Sequence, residues 1–467
     1  MRHYEAVVIG AGALGCFAAR NLRRWKISAL LLESGGDVCT GITRANSAVI
    51  YPGYDNRPGS MKAAMTVKGN KNFPALCREL ELPFLRRGSL LVSYGERSDR
   101  VLRDKLEQGR SNGVEELRLL SGREAEELEP MLKKGISSAL YAGSTGTVNP
   151  WQLGIAACEN AIANGCELSL NTRVVAMERQ GKNYIIKTDR EEIASTMVIN
   201  CAGMNADKVQ ELLFPPRVRL FPDAGDYLVL DKNARSPEHI IFQETESGGK
   251  GLTVVPTVEG SLLLEGPRRK LTRLWATEQE GIDKIKAGAA ELLPGLDLDM
   301  TIRSFAAVRP NPRYVRLMDG RYRTEERNIG DFVIDRPEPG FISLIGIKTP
   351  GLSCADELGA YIGAKAAEYL SAEPNRDFDG RCRGIVRPAV LDYESRKKLI
   401  EQRPEYGDII CRCEEVSRGE ILEAIRRGAA TVEAVKRRTG ACLGRCQGSR
   451  CRMEIEELLE VYRHGQL

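Results

Sequence analysis

The chain has 467 residues, 42% of them apolar and 28% charged, with a net charge of +4; these values fit a globular protein of two to four domains and exclude disordered, collagen-like and small disulfide-stapled chains. No apolar run reaches the ~20 residues of a membrane-spanning helix, strand-like residues from Glu5 onward leave no room for a secretory signal, and so small a charge demands no nucleic acid or acidic membrane as partner. Thirteen cysteines predict reduced thiols in a cytoplasm, where clustered Cys serve metal or redox chemistry, while three histidines leave few candidates for a catalytic base.

Residues 4–35 read as strand, glycine-rich turn, helix and strand. In Gly10-Ala11-Gly12-Ala13-Leu14-Gly15, Gly10 permits the tight turn and Gly12 the approach of a pyrophosphate. Gly15 and Ala19 allow close packing of helix on strand. The helix N-terminus offers free N–H groups to phosphates. Glu33, followed by Ser34, lies 23 residues past Gly10, a spacing suited to a carboxylate on a ribose. This fingerprint serves FAD and NAD alike.

Beyond it, short strands alternate with helices to about residue 370. Helices are predicted at 121–129, 150–164, 277–292 and 354–370. Strands are predicted at 89–94, 172–178, 196–200, 226–230, 252–256, 261–264 and 342–347. Residues 371–409, with Pro374, Pro388 and Pro404 among many charges, read as a linker or strap. Residues 410–467 form a compact Cys-dense unit.

Several further segments accompany the fingerprint: Thr43-Arg-Ala-Asn-Ser47, Asn171-Thr-Arg-Val-Val175, Val198-Ile-Asn-Cys-Ala-Gly203, Phe305-Ala-Ala-Val-Arg-Pro310 and Gly346-Ile-Lys-Thr-Pro-Gly-Leu-Ser353. In order and spacing they resemble the D-amino-acid-oxidase-type superfamily of FAD-dependent oxidoreductases, in its glycerol-3-phosphate and 2-hydroxyglutarate dehydrogenase branch. The resemblance implies an α/β fold. A Rossmann-type FAD-binding domain (about 1–80, 145–210 and 330–370) would carry an inserted, mainly antiparallel β substrate domain (about 81–144 and 211–329), followed by the small helical Cys-rich domain. It implies that Gly10, Ala11, Gly12, Ala13, Leu14, Gly15, Glu33 and Ser34 hold the ADP half of FAD, and that Val174 meets the adenine. Asn46 and Ser47 would lie near the isoalloxazine, with Ala202, Gly203, Gly346, Pro350, Gly351 and Leu352 around the ribityl chain and ring.

In the tail, Cys411 and Cys413 form C-x-C, and after 32 intervening residues Cys446 and Cys451 form C-x-x-x-x-C. Two close thiolate pairs suit an iron–sulfur cluster. Residues 439–451 resemble the bacterioferritin-associated-ferredoxin type of [2Fe–2S] domain, in the version fused to anaerobic glycerol-3-phosphate dehydrogenase subunits. Cys442, where that pattern has Gly, is read as a bystander. Structural zinc is the alternative for the same ligands. Ten basic against five acidic residues over 411–452 read as a solvated or docking face rather than a nucleic-acid surface. The other eight cysteines read as small core residues or solvent thiols.

Alcohol oxidation by flavin needs hydride transfer and a base for the hydroxyl proton. Relatives often carry His where this chain has Tyr51. His3 and His464 read as surface residues, as does His239 before its strand. Lys348 is the stronger candidate, able to bind an anion or, once desolvated, to accept a proton. Arg309 matches a position that holds substrate anions in relatives, and Arg268 follows Gly266-Pro267. Ala224 stands where relatives carry a basic residue.

The expectation is an FAD-dependent dehydrogenase of a small anionic hydroxylated substrate, glycerol-3-phosphate foremost. Electrons would pass through a [2Fe–2S] cluster to a second flavoprotein or other accepting subunit, with peripheral membrane association only through a complex. Alternatives are a 2-hydroxy acid, an amino or imino acid, or a non-catalytic electron-transfer subunit.

Overall fold

The computed structural model describes residues 1–465 and divides into two compact units, residues 1–380 and residues from 381 onward. Among the described residues no helix is long and apolar enough to cross a membrane.

The first unit is built on two sheets. One is eight-stranded and opens with β1 (Arg2–Ile9), followed by α1 (Ala13–Leu22) and β2 (Ala29–Leu32). β1 lies between β2 and the strand Glu192–Asn200, parallel to both, with Ile9 opposite Leu32 on one side and Asn200 on the other. Val7, Val8, Leu30, Leu31, Val198 and Ile199 are all buried, the continuous apolar pattern of strands covered on both faces. α1 and the helices Pro150–Ala163 and Ala355–Leu370 pack together on this layer. Gly359 sits so close to α1 that a Cβ there would lie 2.5 Å from the carbonyl oxygen of Phe17.

The second sheet has nine strands drawn from residues 89–142 and 218–324. Its neighbours are antiparallel except Ile240–Glu244, which runs parallel to Ser89–Ser93. Period-two alternation divides its faces. Leu228, Leu230, Leu252, Val254, Leu262 and Leu264 pack with Ile285, Ala289 and Leu292 of the helix Gln279–Leu292. Tyr227, Thr253 and Glu265 alternate with them and occupy the opposite face, in register across three strands.

Every predicted helix and strand forms, with ends shifted by a few residues and with Val218–Leu230, Leu262–Lys270 and Glu192–Asn200 longer than expected. Two long helices of the first unit were not anticipated. Met61–Glu79 contains Pro74, and Glu96–Ser111 is so charged that only Leu102 and Leu106 mark its buried face as apolar.

The stretch 371–409 is not a free linker, and of the two readings its first part follows the strap. Residues up to 380 pack on the first unit: the N–H of Lys26 donates to the Glu373 carbonyl at 2.8 Å, and that of Asn375 to the Arg24 carbonyl at 2.8 Å. Residues from 381 belong to the second unit, where Tyr393–Gln402 is a helix capped by Asp392 and Tyr406 is buried. Pro374 pairs with Trp25 in an isolated bridge, and Pro388 and Pro404 each open a short 3-10 turn.

The second unit contains the hairpin Ile409–Cys411/Val416–Ser417 and the helices Arg418–Arg426, Val432–Thr439 and Arg452–Arg463. Ser417 and Glu420 form a reciprocal capping box, and Gly440, at φ +84°, ends the second helix. Ile421, Ile425, Val435, Ile455 and Leu459 form a small core shared with Cys411, Cys442 and Cys451.

Candidate active site and cluster site

A cavity of about 1000 Å³ in the first unit is lined by the glycine turn, the segment around Asn46, the strand end at Ala202 and Gly203, residues 347–352 and the polar face of the nine-stranded sheet. Of the residues assigned to a dinucleotide, Gly10, Gly12, Ala13, Leu14, Glu33, Ser34, Asn46, Ser47, Val174, Ala202, Gly203, Pro350, Gly351 and Leu352 face this space. Ala11, Gly15 and Gly346 do not line it. Ala11 donates its N–H to Glu33 Oε2 at 2.8 Å. At Gly15 a Cβ would lie 1.8 Å from the Gly10 carbonyl oxygen, and at Gly346 one would meet the Pro312 ring at 2.8 Å. These three shape the wall from behind.

The glycine turn is suited to a pyrophosphate. Gly10, at φ +99°, has room for no side chain, since a Cβ would lie 2.6 Å from the Cys201 carbonyl oxygen. Gly12 caps α1 with no side-chain hydrogen bond, and the first turn has no acidic residue. The positive end of the helix lies at the cavity, where the Ala13 N–H donates to Thr43 Oγ1 at 3.0 Å. Glu33 straps the turn, accepting from Ala11 and, at 2.7 Å, from the N–H of Gly35.

Asn46 is held by its own loop, donating to the Thr43 carbonyl and accepting from the Ala48 N–H. Tyr51 stacks on Phe242 with ring centroids 5.9 Å apart, and its hydroxyl lies 3.5 Å from Ser47 Oγ. Its N–H donates to Ser353 Oγ at 2.9 Å.

The three expected cations differ in what surrounds them. Arg309 is buried and donates through Nη2 to Glu265, whose other oxygen accepts from Lys250 Nζ at 2.8 Å. Its Nη1 is buried without a hydrogen-bond partner, with Asp223 Oδ1 lying 4.0 Å away. Burial works against the Arg309 charge and is the largest single influence, but Glu265, Tyr227, Asp223 and Tyr51 together outweigh it and raise its pKa. Burial likewise opposes the Glu265 carboxylate, yet Lys250 and Arg309 hold its pKa below the usual value. Lys348 donates to Asn311 Oδ1; its pKa is pushed down to about 8 by burial, with the charges of Arg268 and Lys62 adding to the effect. Arg268 lies at the exposed rim of the cavity.

Glu265 is the site residue that sequence reasoning missed. Its signal was a lone acid at the end of the apolar run Leu262–Leu264, on the face opposite to Leu264. His239 has a structural role, since it and its own N–H face the buried Glu129 carboxylate at 3.4 and 3.2 Å. Ala224 is fully buried.

In the second unit the expected thiols come together, with one addition. Cys413 and Cys446 are hydrogen-bonded sulfurs at the partly exposed side. Cys411, Cys442 and Cys451 are buried; Cys451 is hydrogen-bonded to Cys411 and lies 3.4 Å from Cys442, sulfur to sulfur. Burial raises the Cys446 pKa, but the N–H of Gly448, the Cys413 thiol and the N–H of Arg450 prevail and lower it. Inward N–H groups of this kind stabilise anionic sulfur. The pair and the trio of thiols supply the soft anionic donors of an iron–sulfur cluster.

Residues 5–365 match the FAD dependent oxidoreductase family. The chain belongs to that family. Residues 409–461 match the BFD-like [2Fe-2S] binding domain, so the protein carries FAD and a [2Fe–2S] cluster, and the zinc alternative is set aside. The chain is 37% identical to a glycerol 3-phosphate dehydrogenase of Caloramator mitchellensis, over 98% of this chain and 94% of the relative. It is 24% identical to an anaerobic glycerol-3-phosphate dehydrogenase subunit A1 of Haloferax volcanii, over 96% and 81%. The fold matches an FAD-bound L-alpha-glycerophosphate oxidase of Mycoplasma pneumoniae with a TM-score of 0.73 at 22% identity, covering 82% of this chain and 98% of that one.

Proposed function

We propose that the protein is a dehydrogenase converting glycerol 3-phosphate to dihydroxyacetone phosphate. Its electrons leave through the C-terminal cluster to a partner subunit, a second flavoprotein or similar acceptor, in the cytoplasm. The observation that carries this reading is the unpartnered, buried Nη1 of Arg309 in the cavity wall, a donor shaped for an anionic oxygen. The extended likeness to a glycerol 3-phosphate dehydrogenase supports the substrate, the likeness to a subunit supports the partner, and thirteen free cysteines support a reducing compartment.

When bound, FAD accepts the substrate's hydride and the cluster relays electrons singly. Gly10, Gly12, Ala13 and Leu14 hold the pyrophosphate, and Glu33 with Ser34 receives the ribose hydroxyls. Val174 lies at the adenine, and Asn46, Ser47, Ala202, Gly203, Pro350, Gly351 and Leu352 surround the ring and its chain. Arg309 and Arg268 bind the phosphate of the substrate. Lys348 Nζ, with a pKa near 8, takes the hydroxyl proton, since a desolvated lysine in this range is an efficient base at neutral pH. Tyr51 orients the substrate with Ser47. Cys411, Cys413, Cys446 and Cys451 hold the cluster.

The test is anaerobic turnover with an artificial dye acceptor, offering glycerol 3-phosphate, 2-hydroxyglutarate and an amino acid in turn. Dihydroxyacetone phosphate formed from the first alone supports the proposal. Turnover of 2-hydroxyglutarate alone would make the arginines a carboxylate site, and reduction by a protein donor only would remove the enzyme reading.

A further inference from the structure

A [2Fe–2S] cluster needs four protein ligands, and this unit brings five thiols together. The surplus lies on the buried side, where Cys411, Cys442 and Cys451 meet. Two thiolates on one tetrahedral metal, with bonds of about 2.3 Å, stand about 3.8 Å apart, and Cys442 and Cys451 stand at 3.4 Å. The backbone is bent to place the Cys442 thiol there. Cys442 adopts φ +66°, a left-handed conformation that residues with a Cβ seldom hold. Gly448, at φ +87°, leaves the space its sulfur occupies, since a Cβ there would lie 3.0 Å from Cys442 Sγ. The turn is tied on both sides, the Ala441 N–H donating to Thr439 Oγ1 at 3.2 Å and the Leu443 N–H to the Gly440 carbonyl at 3.2 Å. The Cys442 N–H is itself directed at the sulfurs of Cys411 and Cys451.

We propose that Cys442 is a reserve ligand of the [2Fe–2S] cluster, exchanging with Cys451 at the buried iron. In the exchange the iron–sulfur bond to Cys451 breaks and one to Cys442 forms. The Cys442 thiol proton passes to the released Cys451 thiolate, and no electron changes hands.

The test uses the full-length protein, reconstituted anaerobically, with iron and sulfide content and the electron paramagnetic resonance spectrum of the reduced protein as readouts. C451A should retain most of the wild-type iron and sulfide with a shifted spectrum, whereas C442A/C451A should lose the cluster. A C451A protein as empty as the double variant, with its helical circular dichroism intact, overturns the proposal. Should C451A fail to fold, the comparison passes to C442A and wild type under an iron chelator. Cluster loss about tenfold faster in C442A, the scale on which ligand-supporting residues act, supports the reserve role, and equal rates overturn it.

Discussion

Arg309 and Glu265 reach each other across an intervening strand. Arg309 lies on Thr301–Met318 and Glu265 on Leu262–Lys270, with Val218–Leu230 between them. Gly225 on that middle strand makes the contact feasible, since a Cβ there would stand 2.9 Å from Arg309 Nη1. The pair holds one end of the guanidinium, while its other nitrogen, Nη1, is buried without a hydrogen-bond partner. G225A should therefore raise the substrate KM while leaving the flavin in place. Steady-state kinetics and flavin content of the purified variant check this, and an unchanged KM would remove Gly225 from the site.

Removing the carboxylate has a larger effect. E265Q leaves Arg309 without its buried partner, and breaking such a pair costs about 3 kcal/mol, visible as a lower denaturation midpoint. The pH dependence has a fixed sign. Glu265 has a lowered pKa in the fold, so its contribution is complete above the unfolded Glu value of about 4.3 and is lost as pH falls through the lower folded value. Acid titration of wild type and E265Q should converge at the low-pH end. Parallel curves would contradict the pairing.

Lys348 acts as a base only when neutral. With its pKa near 8, kcat/KM should rise as pH increases through about 8 and then level. K348M should lose that inflection together with about a hundredfold in kcat, the usual scale for a general base. An inflection that persists in K348M would assign the proton to another group.

The glycine turn separates folding from cofactor binding. G10A drives a Cβ into the Cys201 carbonyl and should cost both stability and flavin. At Gly12 the nearest atom to a Cβ is Thr43 Oγ1, at 3.5 Å, so G12A should fold normally yet release FAD more readily. Flavin fluorescence of the two variants against their thermal midpoints makes the comparison.

The two centres occupy different compact units, and C446S should remove the visible signature of the cluster while the flavin remains. Equal loss of both would mean that the units fold as one.

Much of this was legible in the sequence because local rules governed it. Val7, Val8, Leu30 and Leu31 are buried on both faces and read as strands on apolarity alone, and the glycine turn announces itself by spacing. Glu265 was illegible because its partners, Lys250 and Arg309, are 15 and 44 residues away and are brought to it by sheet register. Cys442 lay in plain view, but its relation to Cys451 depends on a left-handed turn that spacing does not specify. Pro74 concealed a helix that tertiary packing stabilises despite the break in pattern.

The central claim is that glycerol 3-phosphate reduces this flavin. An anaerobic visible-absorption titration of the purified protein tests it most directly. The account predicts that stoichiometric glycerol 3-phosphate bleaches the flavin band and then the cluster absorption. Flavin and cluster bands unchanged by excess glycerol 3-phosphate, yet bleached by dithionite, would contradict it.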